Sequence, residues 1–345
     1  MARVAIIGGT GYTGVELLRL LAQHPEVEVV VISSRSESGR PVADLFPNLR
    51  GHYGLCFTDP ADVNYSDIDI VFFATPHGVA QSSMAKVLAS GPRVVDLSAD
   101  FRIRDQQLWE HWYKQDHQCP ELIKEAVYGL PEVNRLAIKS AKLVAAPGCY
   151  PTSAQLGLKP LLEQTGLINL DTVVINSASG VTGAGRQASV GALFSEVSDS
   201  FMPYAVSGHR HLPEIEQGLA DIAGKPVQIT FVPHLLPINR GILTTIYVDL
   251  LGESQSDYQS LYEEAYKNEP FVDVLPTGQQ PTLRSVRGAN VCRIAVQRPL
   301  DRNKLVITVA EDNLTKGASG QALQCMNIMM NLDETLGLDS VALMP

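Results

Sequence analysis

Up to about residue 148, short apolar runs alternate with segments whose apolar positions recur at helical spacing. "RVAIIGG", "VEVVVISS", "DIDIVFFAT", "RVVDLS" and "KLVAAPG" read as strands, and "GVELLRLLAQH" and "GVAQSSMAKVLAS" lie between them as helices. Strand, helix, strand at this spacing predicts a parallel, doubly wound sheet with right-handed crossovers. Beyond residue 150 the texture changes to longer alternating segments: "TVVINSASG", "PVQITFVPHLLP", "GILTTIYVDLL", "CRIAVQRP" and "KLVITVAED". These predict an α+β domain with a mainly antiparallel sheet, against which "HLPEIEQGLADIAG" and "SDYQSLYEEAYKNE" lie as helices. The tail "SGQALQCMNIMMNLDET" is again helical in period. The expected division is 1–148 and 149–316, with a terminal helix at about 317–345 returning to the first domain.

Composition narrows the picture. A chain of 345 residues, 45% hydrophobic, has material for two cores. Its formal charge of -10, from 37 acidic against 27 basic residues without a polybasic run, opposes binding to nucleic acid or an anionic membrane, so neither is expected as a partner. No apolar stretch reaches the length of a membrane span, and "MARVAIIGGTG" runs straight into a strand without a signal-peptide pattern, so a cytoplasmic protein is expected. Cysteines 56, 119, 149, 292 and 325 form no CxxC pair and are odd in number, which argues against a disulfide framework or a zinc site. No metal is expected.

Gly9, Gly11 and Gly14 satisfy G-x-G-x-x-G between the strand "VAII" and a helix from about Thr13. In that context the glycines allow a tight turn and close backbone approach, and the helix start offers N–H groups and a positive dipole to a pyrophosphate. Gly8, Thr10, Gly11, Tyr12, Thr13 and Gly14 are therefore candidate cofactor contacts, and the first domain reads as a Rossmann-type dinucleotide-binding unit. The second strand ends in Ser34, Arg35 and Ser36 rather than in an acid for a ribose 2′-hydroxyl. A guanidinium matches a 2′-phosphate, so the expected cofactor is NADP; the alternative is an exposed loop arginine.

Cys149 lies between Gly148 and Tyr150, after the strand "KLVAAPG" and two residues before Pro151, a position that suits the first turn of a helix. A thiol there sees positive potential, which favours the nucleophilic thiolate; the competing reading is a small apolar residue beside a tight turn. In "SGHRHLPEIEQ", His209 and His211 precede another helix start, and Glu214 follows three residues after His211. H-x-H without further ligands is a weak metal signal, and an acid/base histidine is the better reading.

These segments together resemble the N-acetyl-γ-glutamyl-phosphate reductases, relatives of aspartate-semialdehyde and glyceraldehyde-3-phosphate dehydrogenases. The resemblance spans nearly the whole chain: "GGTGYTG" (8–14), "DLSADFR" (96–102), "YGLPE" (128–132), "APGCYPTS" (146–153), "SGVTGAGR" (179–186), "GHRHLPEI" (208–215), "VPHLLPINRGILTT" (232–245) and "DNLTKGASGQALQ" (312–324). It implies an active-site cysteine at Cys149 and a catalytic histidine within His209 to His211. His211 is favoured because Glu214 shares its helical face and would orient it. Ser98, Gly180, Gly183 and Asn313 are implied near the cofactor. Cys325 departs from the pattern, which commonly has asparagine there.

The implied reaction is NADPH-dependent reduction of N-acetyl-γ-glutamyl phosphate to N-acetylglutamate semialdehyde, with release of phosphate, through a Cys149 thioester. Such a substrate carries two anionic groups, and Arg102, Arg186, Arg210, Arg240 and Lys316 are the cations within the motifs that would bind them. The resemblance also implies a homodimer or homotetramer. Aspartate-semialdehyde dehydrogenase, a lysine-pathway aminoadipyl-phosphate reductase and a non-catalytic NADP sensor are the alternatives.

Overall fold

The computed structural model describes residues 1–252 and 257–344. They form two compact units, one of residues 1–147 with 318–339, the other of residues 148–317 with the tail from Ser340.

The first unit is built on β1 (Ala2–Ile7), β2 (Val27–Ser33), β3 (Ile70–Phe73), β4 (Arg93–Asp96), β5 (Val127–Tyr128) and β6 (Leu143–Ala145). They pair in the order β2-β1-β3-β4-β6-β5, with every pairing parallel. Crossovers cover both faces, so strands such as β3 are buried at every position rather than alternating. The helices are α1 (Tyr12–Leu21), the short α2 (Val42–Leu45), α3 (Met84–Ala89), α4 (Gln106–Tyr113) and α5 (Pro131–Ser140). Helix α1 starts one residue before the predicted Thr13, with Gly11 as its N-cap, and buries Leu17, Leu18, Leu20 and Leu21. Because β2 and β3 flank β1, the strand order reverses at β1, where open α/β sheets place a ligand outside the strand ends.

The second unit comprises α6 (Cys149–Leu162), β7 (Val173–Gly180), α7 (Phe194–Val197), β8 (Met202–Pro203), α8 (Leu212–Ala223), β9 (Ile229–Leu236), β10 (Ile242–Asp249), α9 (Tyr258–Tyr266), β11 (Val272–Val274), β12 (Cys292–Gln297) and β13 (Lys304–Glu311). Ser256, at the head of the helix expected before Tyr258, lies outside the described residues, as does Pro345. The strands form one sheet in the order β11-β12-β13-β10-β7-β9-β8. The expectation of a mainly antiparallel sheet is corrected to a mixed one: β7 with β9 and β11 with β12 pair in parallel, and the other neighbours are antiparallel. The physical reason is connectivity. The β7 to β9 link contains α8, a crossover that returns the chain in the same direction, while the alternation of inward and outward residues reads alike for either direction.

Helix α6 packs on β10, β13 and α8 and is buried at nearly every position, from Tyr150 to Leu162 with only Lys159 partly exposed. Pro160 lies within it and cannot donate to the carbonyl of Leu156, four residues back. The Tyr266 hydroxyl donates to that carbonyl, and the Tyr262 hydroxyl donates to Gly157 O at 2.6 Å. Tyr266 of α9 thus satisfies the carbonyl that the break deprives of a donor, which would otherwise carry a penalty of about 1–3 kcal/mol, and Tyr262 adds a donor to its neighbour. Within the first unit, α10 (Gly320–Met329) is buried at all ten positions and packs on α5, β4 and α1. Among the described residues no helix is long and apolar enough to cross a membrane.

Asp96, at the end of β4, is fully buried. Burial raises its pKa to about 7 and the neighbouring Asp100 adds to the shift, against the opposing bonds from Ser98 and the charge of Arg102. A carboxyl with a raised folded-state pKa contributes stability at low pH that is lost as pH rises from the unfolded value of about 4 through the folded one. The urea midpoint of the first unit is therefore expected to fall between pH 4.5 and pH 7.5 (about the span between the two values), and Asp96→Asn to flatten that slope. An unchanged slope in the variant would exclude Asp96 as its source.

Candidate active site

Strand β6 delivers the chain to Gly148, the N-cap of α6 (φ -68, ψ 157), and so places Cys149 as the first residue of the helix. Pro151 fits the third position because the first turn of a helix needs no N–H from it. Cys149 is half-buried, unlike Cys119, Cys292 and Cys325, which are buried outright. Gly317 abuts it: a Cβ on that glycine would stand 2.8 Å from the Cys149 Cβ and 3.1 Å from Glu311 Oε1. Gly317 belongs to a π-helical turn, Thr315–Ser319, a geometry found disproportionately at functional sites.

Tyr150 links the cysteine to the histidines. Its ring packs edge-on against His209 (centroids 5.6 Å apart) and His211 (5.8 Å), and its hydroxyl shares a hydrogen bond of 2.8 Å with that of Tyr204. His211 is the N-cap of α8. The His211 backbone N–H donates to His209 Nδ1 at 3.1 Å, so His209 carries its proton on Nε2. Burial, aided by the charge of Arg210, drops the His209 pKa to about 4 and keeps that ring neutral. Glu214, fully buried, accepts the Gly148 N–H at 2.8 Å. Cys149, His209, His211 and Glu214 are thus gathered around two helix starts within the second unit.

The candidate cations meet different surroundings. Arg240 is committed to Asp312, with Nε 2.9 Å from Oδ2 and Nη2 2.9 Å from Oδ1, and Nη2 also donates to Thr315 Oγ1. Lys316 is fully buried, with Nζ 5.8 Å from the Phe271 ring centroid. Arg186 and Arg210 are exposed. Arg102 belongs to the first unit, where it is buried and donates to Leu97 O at 2.8 Å. Gly180, Gly183 and Asn313 all lie in the second unit. Asn313 accepts the Gly241 N–H at 2.7 Å and donates to Thr182 Oγ1 at 2.9 Å, and a Cβ on Gly180 would meet Asn239 O at 2.7 Å.

The glycine loop of the first unit has the shape a dinucleotide needs. Gly8 is left-handed (φ 85), and a Cβ there would strike Thr75 and Ala74 O; a Cβ on Gly14 would stand 2.6 Å from Gly9 O. A Cβ on Gly11, by contrast, would meet open space, and Thr10, Gly11, Tyr12 and Thr13 are all partly exposed. Packing thus requires glycine at the first and last of these positions, while the middle one leaves room for a phosphate against the N–H groups of α1. Ser34 is buried and its hydroxyl accepts the Glu37 N–H, whereas Arg35 and Ser36 are exposed just past β2. Ser98 Oγ donates to Asp96 at 2.7 Å.

Sequence reasoning passed over Tyr150, Tyr204 and Gly317. Only Gly317 had a readable signal, a glycine inside a helix-like run; the tyrosine pair spans 54 positions and has no local signature. Among the described residues, no group of three or more His, Cys, Asp or Glu side chains is arranged to hold a metal ion.

Comparison with known proteins adds names to this geometry. Residues 3–141 match the family model "Semialdehyde dehydrogenase, NAD binding domain", and residues 149–313 match "Semialdehyde dehydrogenase, dimerisation domain". The chain is 61% identical over 348 residues to the N-acetyl-gamma-glutamyl-phosphate reductase of Saccharophagus degradans and 63% identical over 350 residues to that of Cellvibrio japonicus, with all of each chain covered. Its fold is similar to that of aspartate semialdehyde dehydrogenase II of Vibrio cholerae, solved in complex with ASA (TM-score 0.75, 16% identity, 96% of this chain and 98% of that one). The NADP-bound aspartate semialdehyde dehydrogenase of Candida albicans is a second such neighbour (TM-score 0.71, 15% identity, 96% and 99%).

Gly317→Ala is expected to displace the Cys149 side chain, because the new methyl has the Cys149 Cβ on one side and Glu311 and Asp312 O on the other. The rate of Cys149 alkylation by iodoacetamide should fall at least about tenfold, with the far-UV spectrum retained. Alkylation at the wild-type rate would show that the close approach does not govern the thiol.

Proposed function

The chain belongs to the N-acetyl-gamma-glutamyl-phosphate reductase family, and from that premise we propose that it reduces N-acetyl-γ-glutamyl phosphate to N-acetylglutamate 5-semialdehyde with NADPH, through a thioester on Cys149. It is an oxidoreductase with a nicotinamide-binding domain. The relatives at about 60% identity favour this substrate over aspartyl phosphate, since the likeness to aspartate-semialdehyde dehydrogenases, at 16% identity, speaks for the fold alone.

The observation that carries the mechanism is the placement of Cys149 at the first position of a buried helix, joined through Tyr150 to His211. The Cys149 sulfur attacks the acyl carbonyl and the C–O bond to phosphate breaks, leaving a thioester. His211 takes the thiol proton and returns it to sulfur when the later thiohemiacetal collapses to the aldehyde. His209 is unsuited to that duty, since its Nδ1 is engaged by the His211 amide and its pKa lies near 4. At the start of α6, Pro151 has no N–H, the Gly148 N–H goes to Glu214 and the Thr152 N–H goes to Gly148 O. Stabilising the oxyanion falls to the remaining backbone amides of that turn, Tyr150 among them, a kind of contribution worth roughly 3 kcal/mol per donor.

When bound, the nicotinamide supplies the hydride that reduces the thioester. Gly8 to Gly14 and the start of α1 would hold its pyrophosphate, with Arg35, Ser34 and Ser36 at the ribose 2′-phosphate. An exposed guanidinium between two serines, where an NAD site would have a carboxylate, supports NADP over NAD. Among the cations, exposed Arg186 and Arg210 suit the substrate's anionic groups better than Arg240, whose charge Asp312 already balances.

Cys149→Ser should lose at least about 1,000-fold in turnover of the semialdehyde with phosphate and NADP, while still binding NADPH by fluorescence titration; His211→Asn should abolish the acidic limb of the pH-rate profile and His209→Asn should keep it. An active Cys149→Ser enzyme would overturn the thioester. Separately, Arg35→Ala should raise the KM for NADPH at least about tenfold and leave that for NADH unchanged, by loss of one charge-assisted phosphate contact. Equal effects on both would remove Arg35 from the 2′-phosphate site.

A further inference from the structure

Asn290 is 2% exposed, and neither its Oδ1 nor its Nδ2 has a hydrogen-bond partner among the described residues. A carboxamide brings two N–H donors and an acceptor oxygen, and native interiors seldom leave such a group without a partner at both ends. The backbone around it is well engaged. Arg287 O accepts the Leu343 N–H at 3.0 Å, the Gly288 N–H donates to Asp312 Oδ2 at 2.7 Å, and the Cys292 N–H donates to Phe271 O at 2.8 Å. A buried amide on so firmly held a stretch, with both ends unused, suits a group that arrives from outside the fold.

The stretch lies towards the proposed nucleophile. Cys292, two residues after Asn290, opens β12 and pairs across from Glu311, the last residue of β13. Glu311 is fully buried, and a Cβ on Gly317 would stand 3.1 Å from its Oε1 and 2.8 Å from the Cys149 Cβ. Two residues of chain span at most about 7 Å and neighbouring strands lie about 5 Å apart, so each of these steps is short. Asn290 and Cys149 therefore border the same end of the second sheet.

In the proposed reaction the acyl carbon meets Cys149, and the acetamido group sits at the other end of a short aliphatic spacer. The carboxylate and the phosphate of that substrate are anions and call for cations. The acetamido group is neutral, and a neutral carboxamide matches it. An unacetylated substrate would present an ammonium there, which can donate to Oδ1 but has no lone pair to accept from Nδ2. We infer that Asn290 is a specificity-determining residue that binds the acetamido group, with Nδ2 donating to the acetyl carbonyl oxygen. The inference deepens the proposed function and rests on it. A donor aimed at one acceptor rejects an analogue without it, because the donor then stays buried and unpaired.

The test uses the full-length enzyme with phosphate and NADP, and compares N-acetylglutamate semialdehyde with 5-oxopentanoate, which keeps the aldehyde, the spacer and the carboxylate and lacks the acetamido group. Wild type should favour the acetylated aldehyde in kcat/KM at least about 100-fold, and Asn290→Asp and Asn290→Ser should each lower that ratio at least about 30-fold, through KM rather than kcat. An unchanged ratio would overturn the assignment, whether both substrates lose equally, as for a structural residue, or neither loses, as for an amide bound to internal water. If neither variant folds, the acetoxy analogue decides on the wild type. It keeps the acetyl carbonyl without the N–H and should be turned over within about threefold of the acetamido compound, whereas a loss as large as that of 5-oxopentanoate would overturn the assigned hydrogen bond. Wild-type enzyme that turns over neither aldehyde would overturn the proposed function, and this inference with it; turnover of the acetylated aldehyde with an unchanged ratio in the variants fails Asn290 alone.

Discussion

A backbone N–H at the start of a buried helix must find an acceptor, and the choice of acceptor for Gly148 organises the second unit. Because the first amides of a helix have no partner within it, a helix interred as deeply as α6 leaves its opening turn dependent on neighbours. The Glu214 carboxylate meets that need and in doing so fixes α8 against α6. The sheet beneath supplies the rest: Ser153 Oγ of α6 shares a hydrogen bond of 2.8 Å with Thr244 Oγ1 of β10, which shares another of 2.8 Å with Ser177 Oγ of β7. The turn that carries Cys149 therefore sits on a rigid support, which the proposed nucleophile would require to meet a substrate within a fraction of an ångström.

The first unit obeys a different constraint, close backbone approach. Its glycine loop threads between strand β3 and helix α1, and side chains are excluded at Gly8 and Gly14 by backbone atoms, which cannot move aside. The demand is local, and so the loop was legible in the sequence. The parallel sheet was legible for the same kind of reason, since continuous apolar runs separated by helical segments admit few other arrangements.

What depended on distant pairing was not legible. Alternation along β7 and β9 showed which residues face inward but not that the strands run in parallel, which follows from the crossover through α8. The spacing of Glu214 from His211 pointed to a pair within one helix, and nothing in that spacing showed that the carboxylate also accepts the Gly148 N–H, 66 positions away. Arg240 had the chemistry of an anion ligand, yet Asp312, 72 positions away, holds its guanidinium in a two-pronged pair. The partner was set by the folded chain.

The division of the chain into units has a consequence for how the molecule is made. The first unit closes with residues 318–339, whose helix α10 buries all ten of its positions against α5, β4 and α1. A ribosome releases those residues only after residues 148–317 have emerged, so during synthesis the parallel sheet waits with the apolar faces meant for α10 uncovered. The antiparallel neighbours β10 and β13, with 54 residues between the end of one strand and the start of the other, lie wholly within the later segment and can pair before that wait is over. The first unit, begun before residues 148–317, thereby has to wait for them before its last helix arrives.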